Sequence, residues 1–169
     1  MRKRCFYMNP YTEQVEVIIP AYDDRTRPTG LTDEEFFTQV IDKILATARR
    51  EGYQPASGIT YYEMDENDTP SDRTFRGAWE CPAGTIQVNM PKARVLHMDA
   101  IRASRNAELV KEDVTFMRAV EDGDTDAQAT IKTKKQTLRD LPATFDITTD
   151  VDTPEKLKAK WPTELPARE

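Results

Sequence analysis

Few residues in this chain have the types that do chemistry, and their spacing limits what they can do together. His97 is the only histidine among 169 residues, which excludes paired-imidazole catalysis and histidine-rich metal sites; a Ser-His-Asp arrangement would rest on that one ring. It lies beside Asp99 in a helical stretch with no nucleophile-elbow context, so it reads as a helix-surface or hairpin-interface imidazole. Cys5 and Cys81 are the only cysteines and lack the density of a disulfide scaffold or the paired spacing of a zinc site; they read as reduced, partly buried thiols. The 6 glycines are scattered and form no phosphate-binding loop. Asp65-Glu66-Asn67-Asp68 and Asp122-Gly123-Asp124-Thr125-Asp126 offer oxygen ligands without the calcium-loop pattern, and read as solvated loops and helix caps. With 30 acidic side chains some carboxylate pair is always at hand, so such pairs carry little information. No catalytic, cofactor-binding or metal-binding residue is assigned on these grounds. The alternative in a different class is a small hydrolase or lyase that uses Asp or Glu with His97.

The arginines stand closer to a pattern. Arg73 and Arg76 flank Phe75 and precede Trp79, with Asp72 before them, a set suited to a loop pinned by charge-assisted hydrogen bonds and anchored by the indole. In Leu138-Arg139-Asp140-Leu141-Pro142, Arg139 is expected to pair with Asp113. Internal bracing is the preferred role for both groups, and docking to another protein the alternative. Arg2, Lys3 and Arg4 form a basic tip, read as a frayed, solvated terminus. Residues 92–139 hold ten basic and eight acidic side chains, interleaved at helical spacing. An ion-paired helix face fits that pattern better than a nucleic-acid stripe, so no nucleic-acid partner is expected.

The elements that must carry these residues can be traced along the chain. Gln14–Pro20 alternates and then turns continuously apolar, a strand closed by Pro20. Thr32 with Glu35 has capping-box spacing, and Phe36, Phe37, Val40, Ile41, Ile44, Leu45 and Ala48 recur at helical intervals, predicting a helix over 33–50 with Arg49 and Arg50 at its negative end and Gly52 as its stop. Beyond Pro55 and Gly58, Ile59–Met64 reads as a strand, and Thr74–Trp79 with Thr85–Met90 as a hairpin around Cys81-Pro82-Ala83-Gly84. After Pro91 there is no Pro or Gly until Gly123, which predicts one long helix from Lys92 to Asp122. Ala93, Leu96, Ala100, Ala103, Ala107, Val110, Val114 and Met117 repeat on it at alternating steps of three and four. A second stripe runs through Met98, Ile101, Leu109, Phe116 and Val120. Asp124-Thr125-Asp126 caps a further helix carrying Ala127, Ile131 and Leu138, which Pro142 is expected to stop; Thr153-Pro154 starts a short one. The fold class that follows is α+β: a small antiparallel or mixed sheet with one covering helix (1–90), a long helical hairpin (91–141) and an extended tail with a short helix (142–169).

Several segments, in order, resemble small proteins encoded in tailed-phage and prophage tail modules: Asp72-Arg73-Thr74-Phe75-Arg76-Gly77-Ala78-Trp79, Val88–Arg94, Ile101-Arg102-Ala103-Ser104-Arg105-Asn106, Phe116–Ala119, Gly123-Asp124 and Lys135–Pro142. The hairpin half is similar to the phage tail assembly chaperone type. In that type an R-x-x-R-(N/D) helix leads through an acidic residue, here Asp113, to a closing L-R-D-(L/I)-P, and a Trp-Pro pair such as Trp161-Pro162 follows. That type often carries a D-W pair where Asp113 is here followed by Val114. The front half resembles a domain that often precedes such hairpins and carries no assigned role. The resemblance implies a non-enzymatic virion protein that binds other tail, baseplate or fibre components, made in the host bacterial cytoplasm; the alternative it implies is an assembly chaperone absent from the mature virion.

Composition agrees with dependence on partners. Hydrophobic residues make up 38% and charged residues 32% of the chain, with a net charge of -6, a thin apolar supply against a typical globular domain. No apolar run is long enough to span a bilayer, so no membrane partner is expected. Leu96, Ala100, Ala103, Ala107, Val110, Val114 and Met117 are expected inside the hairpin. Met98, Ile101, Leu109, Phe116, Trp161 and Leu165 are the expected contacts to a partner or to a second copy.

Overall fold

The computed structural model describes residues 2–9, 12–50 and 60–168, with side chains throughout except at 45–50. The expectations for Leu45, Ala48, Arg49, Arg50, Gly52, Pro55, Gly58 and Ile59 therefore lie outside the described side chains or residues. The fold is α+β and divides into two compact units, Met1–Asn89 and Met90–Glu169. Residues 142–168, expected as a separate tail, belong to the same unit as the hairpin.

In the first unit, strands β1 (Lys3–Met8), β2 (Val15–Ile18) and β3 (Tyr62–Asp65) form an antiparallel sheet in the order β2-β1-β3. The basic tip is thus no frayed terminus but the start of the central strand, with Cys5 opposite both Ile18 and Glu63. Its charges are matched nearby: Arg2 bonds Asp23 at 2.7 Å and Lys3 bonds Glu63 at 2.9 Å. Side chains alternate across a strand, and β1 feeds two cores accordingly. Cys5 joins Tyr22, Phe36 and Phe37 under helix α1 (Asp33–Arg50), whereas Phe6 joins Val15 and Trp79 in a second cluster. Thr32 and Glu35 cap α1 reciprocally: the Thr32 amide donates to the Glu35 carboxylate at 2.8 Å and the Glu35 amide to Thr32 Oγ1 at 3.3 Å.

The expected hairpin shrinks to two short strands, β4 (Trp79–Glu80) and β5 (Gln87–Val88), which form a sheet of their own. Thr74–Ala78 is not a strand; it runs through a turn into a single 3₁₀ turn, Arg76–Ala78. Trp79 and Ala78 are nonetheless fully enclosed. Gly84 has φ +83°, and a Cβ there would stand 2.6 Å from Tyr62 Cδ1. Only glycine meets both conditions.

The second unit is built on α2 (Met90–Glu121), whose 32 residues extend about 48 Å at 1.5 Å per residue. Gly123, at φ +69°, turns the chain, and Asp124 caps α3 (Thr125–Thr144) by accepting from the Ala127 amide at 2.9 Å. The helix continues past Pro142 to Thr144, two residues beyond the expected stop; helix ends vary at this scale. Thr153 then caps α4 (Pro154–Ala159). The chain beyond α4 packs inward, with Pro162 and Leu165 buried in this unit.

Candidate functional site

Apart from Ala93, which is buried, and Val120, which is 45% exposed, the two apolar stripes of α2 take opposite environments, and the assignment is the reverse of the expected one. Ile101 is fully buried and forms the hairpin core with Leu138, Leu141 and Leu165; Met98, Leu109, Phe145, Ile147 and Trp161 pack around it. Phe116 lies under the Lys132 and Lys135 ammonium groups, 5.6 and 5.4 Å from its ring centre. All six residues expected to meet a partner therefore serve the inside of this unit. Of the seven expected inside, Leu96 is 38% exposed, Val110 63%, Val114 50% and Met117 57%. Ala103 and Ala107 are exposed too, and Ala100 is half-buried. The reason is size: Ile, Leu and Phe withdraw more apolar surface from water than Ala, so the bulkier stripe faces α3 although its spacing is less regular.

Charges fix the register of the hairpin. Glu112, buried on the inner side of α2, receives Lys134 at 2.6 Å, and Asp113 accepts from Lys135. The Asp113 partner is thus Lys135 and not Arg139, which is exposed. Asp140 accepts from Gln136 one turn back, at 2.9 Å. Arg73 and Arg76 are exposed and make no ion pair among the described residues; Asp72 instead accepts from the Thr74 amide at 2.9 Å. Trp79 holds its loop by burial, not through guanidinium bonds.

His97 is fully buried on α2, against the chain that follows α4. Its Nε2 donates to the Lys160 carbonyl at 2.8 Å, Nδ1 accepts from Arg168 at 3.2 Å, and its ring meets Trp161 edge-on at 5.6 Å. Burial pushes the imidazole pKa below its ordinary value, the Arg168 charge lowers it further, and the Lys160 bond opposes both. Both ring nitrogens are engaged by the scaffold, Nε2 by a backbone carbonyl and Nδ1 by a guanidinium. Arg168 was not foreseen, because an isolated arginine in a proline-rich segment carries no spacing signal.

The remaining reactive groups stay apart. Burial raises the Cys5 thiol to about 11 and also raises Cys81, which disfavours the thiolate at both. Among the described residues, no group of three or more His, Cys, Asp and Glu side chains comes together to hold a metal. In the first unit a cavity of about 430 Å³ opens beside Arg2, Arg4, Tyr22, Asp23, Asp24 and Glu66, where acids offset the arginines. No helix among the described residues is long and apolar enough to cross a membrane. No protein-family model, curated protein or solved structure matches the chain. Among the described residues, the large apolar side chains left exposed gather on α2, with Leu96, Val110, Val114 and Met117 on its outer face.

Proposed function

We propose that this chain is a non-enzymatic structural protein of a tailed-phage or prophage tail, binding other tail, baseplate or fibre components in the virion. The observation that carries the protein-binding part is the row of large apolar side chains left on the outer face of α2: Leu96, Val110, Val114 and Met117. Contiguous apolar surface of this kind on a folded unit is characteristic of an interface. The tail assignment rests on the ordered motifs of the sequence. Within those motifs Leu138, Leu141 and Pro162 are buried, so they serve the scaffold that presents the outer face. His97, held by a backbone carbonyl and a guanidinium, fits the same scaffold role better than a catalytic one.

Mass spectrometry of purified particles tests the reading. Peptides of this protein at a fixed ratio to a major tail protein support a virion component. Absence from particles, together with loss of tails when the gene is deleted, would replace it with the assembly-chaperone role. Complete infectious particles made without the protein would overturn both.

A further inference from the structure

We propose that a second copy of this chain covers the outer face of α2, the two α2 helices lying parallel as a short two-stranded coiled coil. The inference rests on reading that face as protein-binding and does not need the tail assignment.

Spacing supplies the first argument. Leu96, Ala100, Ala103, Ala107, Val110, Val114 and Met117 advance by four and three in strict alternation. A mean step of 3.5 keeps one seam in register with a neighbouring helix, whereas on a straight helix of 3.6 residues per turn the same row drifts by about 20° per heptad. Of the residues that α2 buries within its own unit, Ala93 and His97 cover the start of the row, whereas Ile101, Glu112 and Ala119 lie on the other side of the helix, so the seam is open from Ala100 to Met117. The alanines allow close approach of two backbones, and the β-branched Val114 at an inward position favours two strands.

Charge then selects the occupant and its direction. One flank of the seam carries Asp99, Asn106 and Asp113; the other carries Ser104, Lys111 and Arg118. Two parallel copies set each residue of the first flank against the residue five places further on in its neighbour. Asp113 then meets the second copy's Arg118, and Asn106 meets its Lys111, twice by symmetry. An antiparallel pair would instead face the acidic flank with itself, setting Asp99 against the second copy's Asp113. Asp113 remains 59% exposed beside Lys135, which leaves it able to accept a second cation.

Sedimentation equilibrium of the full chain at micromolar to hundreds of micromolar concentration is the primary test. A reversible dimer is expected, with Val110→Glu plus Val114→Glu giving a monomer of unchanged helical circular dichroism. Asn106→Asp, on an exposed position, adds two Asp-Lys pairs in the parallel arrangement and is expected to tighten the dimer by about two- to tenfold. The same change weakens an antiparallel dimer. Val114→Cys in a Cys81→Ser background should self-crosslink on oxidation, because only parallel copies place Val114 beside its equivalent. A chain monomeric throughout, a dimer indifferent to the two glutamates, weakening by Asn106→Asp or no crosslink each overturns the proposal. A monomer found in virions sinks this inference alone, and a parallel dimer whose loss leaves particles intact sinks the tail assignment alone.

Discussion

His97 on α2 and Lys160 just after α4 lie 63 positions apart in sequence and 2.8 Å apart in space, joined by a hydrogen bond from the ring to the backbone. Removing the ring takes the donor from a part-buried carbonyl and one acceptor from Arg168. His97→Ala is expected to cost about 1–3 kcal/mol, read as a lower urea midpoint of the helical signal, with faster amide exchange in α4.

The same ring predicts a pH dependence. Its folded pKa lies below the ordinary 6.5, so on acidification the unfolded chain takes up the proton first. The stabilisation is therefore complete above about pH 6.5 and is lost as pH falls toward the folded pKa. Urea midpoints at pH 7.5 and 5.5 should differ more in the native chain than in His97→Gln. An equal difference in both would remove His97 as the source.

Two substitutions on α2 separate its faces. Ile101→Ala opens a cavity at a fully buried site and should cost about 2–5 kcal/mol. Val95, on the same helix but 60% exposed, should change by no more than about 0.5 kcal/mol when replaced by Ala. Comparable losses from the two would contradict the burial assigned to this helix.

Gly84 and Gly30 make a matched pair. Both have positive φ, but a Cβ at Gly84 collides with the Tyr62 ring while one at Gly30 meets nothing within 4 Å. Gly30→Ala is expected to lose about 1 kcal/mol from backbone strain alone, and Gly84→Ala clearly more. Thermal unfolding of the two variants gives the order.

A double-mutant cycle distinguishes the cations near Asp113. Lys135 with Asp113 should show coupling of about 0.2–1 kcal/mol, and Arg139 with Asp113 none. The opposite ranking would restore the pairing expected from the sequence.

The legible parts of this fold are those written in local chemistry. The Thr32–Glu35 cap, the Gly123 break and the Thr153-Pro154 start act within a few residues, and each stands where its spacing predicts. Strand β1 was obscured because Arg2, Lys3 and Arg4 look like a solvated tip; their partners Asp23 and Glu63 come from distant segments. The residues of α2 that compose its two stripes were likewise visible, but periodicity ranks regularity and folding ranks buried area. Whether a stripe faces its own chain or another is decided by α3 and the tail, which no pattern within α2 encodes. Regular spacing consequently points to the exposed stripe as core, and to the core residues Ile101 and Leu165 as contacts.

The bond between Arg168 and His97 spans 71 positions, which gives the second unit an order of assembly during vectorial synthesis. At 5–20 residues per second, roughly 4 to 14 seconds separate the emergence of His97 from that of Arg168. The outer seam is complete once Met117 has emerged, before any residue of α3, α4 or the tail that packs on the inner side of α2. A nascent α2 can therefore meet a neighbouring nascent chain before its own inner side is sealed.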